Sequence, residues 1–177
     1  MLHQHGMEID EVINFGIAGA YLNTTLEHQA NMLDICLAQQ EVFADLGICL
    51  QDRIERFSAD FAVRDSFMLD STLLSKAGKA LQHAHIVYKQ GIFITVNCAS
   101  GTQQRGTLLS QQFQGLCENM EGAAVTRVCE QFSKPCLEVR CISNMVEDRN
   151  KMNWQLPQAC SRAGQATAAI VDHALHQ

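Results

Sequence analysis

A chain of 177 residues, 47% of them apolar, has the size of one domain and enough apolar content to bury an ordinary core. Its net charge of -6, with no Lys- or Arg-rich run, argues against a nucleic-acid backbone or an anionic membrane surface as partner. The longest apolar runs, such as Ile92 to Val96, have the length of a strand and fall far short of a bilayer span.

In chain order, short apolar strand-compatible runs occur at Glu11 to Phe15, Ile35 to Val42, Ile92 to Cys98 and Cys136 to Ile142. Between the last two, Met120 to Phe132 reads as a helix, with Ala124, Val128 and Phe132 on one stripe and Pro135 stopping it. The final helix is the clearest. Leu156, Cys160, Ala163, Thr167, Ile170 and Ala174 recur at spacings of three and four behind a start marked by Pro157. No repeat, low-complexity stretch or linker divides residues 1–177, so one α/β domain is expected. Alternating strands and helices predict a mixed, mostly parallel sheet in a three-layer α/β/α arrangement, with ligands collecting where strands end.

Eight cysteines sit singly, as Cys36, Cys129, Cys136 and Cys141 do inside apolar runs, and no CxxC occurs. They read as small core residues in a reducing compartment. The residues from Met1 to Gly6 lack the basic and then apolar order of a secretory signal, so a cytoplasmic location is expected. The pairs His3/His5 and His83/His85 have no Cys or acid at a ligand spacing. No metal and no other cofactor is therefore expected.

Three strand ends carry unusual content. The first is Asn14-Phe15-Gly16-Ile17-Ala18-Gly19-Ala20-Tyr21, which reads as either a tightly packed turn or a loop that lets a ligand approach the backbone. It lacks a dinucleotide fingerprint and the Lys-Ser/Thr of a P-loop. The second is Glu118-Asn119-Met120-Glu121-Gly122-Ala123-Ala124, two acids and an amide near a helix start. Capping explains such a group, and is a fair account of Glu118. Glu121 has a further use, since one carboxylate can accept hydrogen bonds from both neighbouring hydroxyls of a nucleoside sugar. The third is Arg140-Cys141-Ile142-Ser143-Asn144. A charge on a buried strand needs a partner, and Glu121 or Glu138 would serve.

Together, Asn119 to Ala124, Val139 to Asn144, Arg149 and Trp154 resemble the purine nucleosidase and phosphorylase superfamily. The pattern is most similar to its futalosine hydrolase subgroup, and Gly16 to Ala20, Glu41 to Gly47 and the run from Phe93 to Thr102 agree with that. The resemblance implies hydrolysis of an N-glycosidic bond in futalosine or a related 6-oxopurine nucleoside, releasing hypoxanthine, and a place in menaquinone biosynthesis. Glu121 and Asn144 would be catalytic. Glu121 and Met120 would hold the ribose, and Asn144 would face the purine, where adenine-specific relatives carry Asp. A carboxamide NH2 donates to the O6 and N7 acceptors of hypoxanthine, so Asn144 favours that base. Phosphorolytic relatives place a serine hydroxyl where Ile17 stands, and a side chain that donates nothing favours water over phosphate.

Asn119, Gly16, Ile17, Ala18, Arg140, Cys98, Ala99, Arg149 and Trp154 complete the implied substrate pocket. The family's first strands, one of which carries the acid that activates water, precede the segment matched at Glu11. Their absence would leave a sheet edge and apolar helix faces uncovered, which favours a homodimer or higher homo-oligomer. Two alternatives remain: an adenine nucleosidase acting on methylthioadenosine, S-adenosylhomocysteine or aminodeoxyfutalosine, and a non-catalytic protein that binds purine nucleosides.

Overall fold

The computed structural model describes residues 8–22, 29–51, 53–57, 63–148 and 151–175. Along them run β1 Val12–Tyr21, β2 Ile35–Phe43, β3 Gly47–Cys49, β4 Ile54–Arg56, β5 Ser66–Met68, α1 Ser71–His83 and β6 Tyr88–Thr95. Then follow α2 Gln103–Phe113, β7 Gly115–Asn119, α3 Gly122–Gln131, β8 Cys136–Val146, a 3-10 turn Lys151–Asn153 and α4 Leu156–Leu175.

Six strands form one mixed sheet in the order β5-β2-β6-β7-β1-β8, and β3 pairs with β4 separately. The long pairings are parallel: β1 beside β8 from Val12 to Tyr21, and β2 beside β6 from Ile35 to Phe43. The antiparallel contacts are short, and β1 meets β7 only at Gly19 and Ala20. Because β2 also pairs with β8, the sheet curls until β2, β6, β7, β1 and β8 enclose an interior. So few strands leave room mainly for small side chains. Ala18, Ala20, Cys36, Ala38 and Cys117 accordingly cluster there with Phe93 and Ile142.

Register decides what else points inward. On β8, Glu138 and Arg140 share the face of Ile142 by the two-residue alternation of a strand. On β2, an irregularity between Ala38 and Gln40 shifts the alternation by one residue, so Glu41 lies opposite Phe93 and faces inward with Cys36 and Ala38. Thr95 and Asn119, paired across β6 and β7, follow the same face.

Outside, α1 and α4 pack together over β2 and β8, with Leu73, Ala77 and Leu81 meeting Ala159, Ala163 and Ile170 above Leu37, Leu137 and Val139. Asp70 caps α1 by accepting from the Leu73 N-H at 2.8 Å. On another side, Leu109 and Phe113 of α2 pack with Tyr21, Ile94 and Val146.

Several boundaries differ from the sequence expectations. The β1 strand does not stop at Phe15: Gly16 to Ala20 are inside it, neither a turn nor a loop. The helix expected from Met120 begins at Gly122, and its buried stripe is Ala123, Thr126 and Cys129. Ala124 and Val128 face outward. The α4 stripe starts at Ala159, and Leu156, Cys160 and Ala174 are exposed. Cys36, Cys117, Cys129, Cys136 and Cys141 are buried free thiols, whereas Cys49, Cys98 and Cys160 are exposed. His3 and His5 lie outside the described residues. Among those described, no three His, Cys, Asp or Glu side chains gather as a metal site requires, and no helix is long and apolar enough to cross a membrane.

Candidate active site

The short contact between β1 and β7 opens a cavity. From Val12 to Ala18, β1 pairs with β8 alone among the described strands, and its other edge borders a space of about 620 Å³. That volume suits a ligand of nucleoside size. Asn14 to Gly19 form one wall, Glu118 to Glu121 a second, and Arg140, Ser143 and Asn144 a third. Val96, Ala99 and Ser100 enter after β6, and Trp154 and Cys160 from the carboxyl-terminal segment.

Glu121 and Asn144 thus border the same cavity, as do Met120, Asn119, Gly16, Ile17, Ala18, Arg140, Ala99 and Trp154. Cys98 is exposed outside the lining, where its backbone N-H reaches Asp45 Oδ2 at 3.4 Å. Arg149 lies outside the described residues.

The Glu121 carboxylate is held at one end and open at the other. Arg140 Nη2 stands 3.0 Å from Glu121 Oε2, and the Glu121 side chain keeps 59% of its surface exposed. That contact is an ion pair without hydrogen-bond alignment, since Nη2 has no hydrogen-bond partner. Arg140 is itself fixed from behind, its Nε donating to Glu138 Oε1 at 2.8 Å and its Nη1 to the Ile17 carbonyl at 3.3 Å. Both acids proposed from the sequence as its partner therefore serve. Gly16 makes this possible, because a Cβ there would lie 2.6 Å from Nη1. Its value is the close approach of Arg140 across β1.

The cap of α3 comes from neither acid. Asn119 Oδ1 accepts from the N-H groups of Glu121 at 3.0 Å and Gly122 at 2.7 Å, while Thr95 Oγ1 accepts from Ala123 N at 2.8 Å. The capping read for Glu118 is thus replaced: Glu118 belongs to β7. There it accepts from the Ser100 N-H at 2.8 Å and the Tyr21 hydroxyl at 3.2 Å, pinning the loop after β6 to the cavity. Burial, and then the charge of Glu118, push the Tyr21 hydroxyl well above its ordinary pKa, so it stays a donor.

Asn144 lies within β8, not past its end. Ser143 Oγ donates to its Oδ1 at 2.9 Å, which turns the amide nitrogen away. Nδ2 donates one hydrogen to the Met145 carbonyl at 3.2 Å, leaving a second for a ligand.

Of the further lining residues, Asn14, Phe15, Gly19, Glu118 and Ser143 stand in the three segments read from the sequence, whereas Val96, Ser100 and Cys160 were given no part in the site. Asn14, Phe15 and Gly19 carried a signal, being the neighbours of Gly16 to Ala18 on one strand. Cys160 carried a misleading one, because its helical spacing suggested burial.

A family model, the phosphorylase superfamily, matches residues 1–176. The chain is 26% identical to the futalosine hydrolase of Thermus thermophilus, over 92% of this chain and 70% of that one. It is 25% identical to the aminodeoxyfutalosine nucleosidase of Helicobacter pylori, over 93% and 69%. Among solved structures, the native futalosine hydrolase of Helicobacter pylori superimposes with a TM-score of 0.81 at 22% identity, over 97% of this chain and 71% of that one. A Helicobacter pylori 5'-methylthioadenosine/S-adenosyl homocysteine nucleosidase complex superimposes equally well, over 97% and 72%. A mixed sheet with flanking helices, a cavity where β1 and β7 part, and a family match along nearly the whole chain agree: the chain belongs to the phosphorylase superfamily.

Proposed function

We propose that these residues bind a 6-oxopurine nucleoside of the futalosine or inosine type for hydrolysis of its N-glycosidic bond. The observation that carries this is the pairing, around one cavity, of an open carboxylate anchored on Arg140 with an amide donor oriented by Ser143.

Glu121 accepts the two ribose hydroxyls, and Arg140 holds its carboxylate in place. Met120, half exposed in the cavity, packs on the sugar. As the bond lengthens, positive charge grows on the sugar and negative charge on the base. The carboxylate stabilises the first and the free Asn144 N-H the second, a differential stabilisation of the transition state. Ile17 offers no hydrogen bond to phosphate, which supports water as nucleophile. Arg140, Trp154 and Arg149 are assigned to shaping the site or contacting the carboxylate-bearing side of futalosine.

The chain spans 70% and 69% of the two curated relatives compared above. Residues 1–177 are taken as one domain acting in the cytoplasm, in menaquinone biosynthesis, with a second copy covering exposed surface in a homo-oligomer.

An ultraviolet assay of hypoxanthine release from inosine, with and without phosphate, tests the reaction. Release that requires phosphate would refute hydrolysis. An adenine-nucleoside reading has its own support, because one relative is an aminodeoxyfutalosine nucleosidase. Faster release of adenine from methylthioadenosine than of hypoxanthine from inosine would establish it instead. Tight nucleoside binding without release would establish the non-catalytic reading.

A further inference from the structure

Inside the curled sheet, behind the cavity wall, two carboxyl groups meet. Glu41 and Glu138 are fully buried. Both press against Gly122, where a Cβ would collide with Glu41 Oε1 and Glu138 Oε2 at once. The two oxygens therefore share one small space, which exists because residue 122 has no side chain.

Their surroundings differ. Glu138 Oε1 is taken by Arg140 Nε at 2.8 Å, but Glu138 Oε2 forms no well-aligned hydrogen bond, and the amide nitrogen of Asn14, its neighbour across β1, forms none either. Glu41 accepts from the Thr95 hydroxyl at 2.7 Å and from Asn119 Nδ2 at 2.7 Å, both neutral. One guanidinium cannot compensate two adjacent, fully buried carboxylates. A proton on Glu41 resolves this, because its O-H supplies the donor that Glu138 Oε2 lacks. Burial pushes Glu41 well above the usual carboxyl range, with the charge of Glu138 adding to it. Burial also raises Glu138, while Arg140 pulls it back down.

We propose that Glu41 and Glu138 hold a single proton between them and act as positioning residues, fixing Glu121 from two directions. One arm runs from Glu138 through Arg140 to the Glu121 carboxylate. The other runs from Glu41 through the Asn119 amide to the Glu121 and Gly122 N-H groups. Thr95 ties the same cluster to Ala123 N. Sharing one proton leaves the pair a single negative charge, which Arg140 balances, and that balance allows a rigid polar support inside a sheet otherwise filled with alanine, cysteine and phenylalanine. This inference rests on the reading of Glu121 as the group that binds the sugar hydroxyls.

Two measurements on the 177-residue chain test it. The first is an infrared difference spectrum at neutral pH between wild type and Glu41→Gln. A protonated-carboxyl C=O band that is present in wild type and lost in the variant is expected. Its absence from wild type overturns the shared proton, whatever the ligand. The second is the affinity for inosine and for 2',3'-dideoxyinosine. Glu138→Gln, and equally Glu41→Leu, is expected to weaken inosine roughly 10- to 100-fold, the scale of a misplaced contact group. Glu41→Gln, whose NH2 replaces the carboxyl donor but cannot accept from Asn119 Nδ2, restores inosine affinity in part relative to Glu41→Leu. Dideoxyinosine, which offers Glu121 no hydroxyls, loses little in any variant. Equal losses for both ligands mean a general structural role and overturn the positioning role. A wild type that does not distinguish the two ligands refutes the Glu121 reading instead, and the infrared result still decides the proton. Should Glu138→Gln fail to fold, the Glu41 variants carry the test.

Discussion

Replacing Arg140 with methionine removes the guanidinium while roughly keeping the stem. The side chain is 5% accessible, and its partner Glu138 is 0% accessible. Truncating one member of a buried pair leaves an uncompensated charge, at a cost of about 3–5 kcal/mol. Set against a total stability of roughly 5–15 kcal/mol, that is a large fraction. At about 2–4 °C per kcal/mol for a chain of this size, the melting temperature should fall by roughly 6–20 °C. The cost depends on pH, with a definite sign. Without Arg140, burial raises the folded-state pKa of Glu138 beyond its already raised value. A carboxyl raised in the folded state contributes stability that is fully present below its unfolded pKa of about 4.3, and that is lost as pH rises through the folded value. The deficit should accordingly be small near pH 4.5 and full by pH 8. Urea unfolding followed by circular dichroism at both values measures it. A deficit below about 1 kcal/mol at pH 8, or one equal at the two pH values, would refute the claim that Arg140 compensates a buried carboxylate.

Glu121→Ala should leave the melting temperature nearly unchanged, because that side chain is 59% exposed, and lower base release by about a hundredfold or more. A near-normal rate removes Glu121 from its role. Asn144→Asp, which replaces the donor amide, should shift preference from hypoxanthine toward adenine nucleosides in a competition assay; an unchanged ratio defeats the donor account. Gly122→Ala should destabilise by about 1–3 kcal/mol or more in urea unfolding, since the new methyl meets both buried carboxyl groups. For Glu41, raised by burial, wild-type stability should fall by up to about 1.4 kcal/mol per pH unit above pH ~4.3 until the folded value is passed. In Glu41→Gln that component should vanish, so parallel pH profiles of the two proteins contradict a neutral Glu41.

The features legible in the sequence were those with a local signature. Strands β2 and β8 and helix α4 show apolar runs or helical spacing, and the buried Arg140 required an acid that turned out to be both candidates. What stayed hidden depended on pairing between distant segments. Gly16 and Gly19 suggested a turn, yet they lie in a continuous strand, and Gly16 answers to a guanidinium 124 residues away. The stripe of α3 was read out of phase because Val128 and Phe132 look more apolar than Thr126, which nevertheless is buried with its hydroxyl donating to the Gly122 carbonyl at 2.9 Å. Helices α1 and α2 went unread: α2 is mostly polar, but α1 buries Leu73, Ala77, Ala80 and Leu81 at helical spacing that was legible. The inward turn of Glu41 follows from an irregularity in β2 that nothing in Gln39-Gln40-Glu41 announces. Glu118 was misread for a similar reason, since an acid before a helix resembles a cap until the strand partner Tyr21 is known.

One nucleoside is expected to lie between Glu121 and Asn144. A crystal structure of the chain with a non-hydrolysable inosine analogue tests this placement. Both ribose hydroxyls should come within hydrogen-bond reach of the Glu121 carboxylate, with the 6-oxopurine facing Asn144 Nδ2. An analogue bound with its sugar away from Glu121, or outside the cavity along β1, contradicts it.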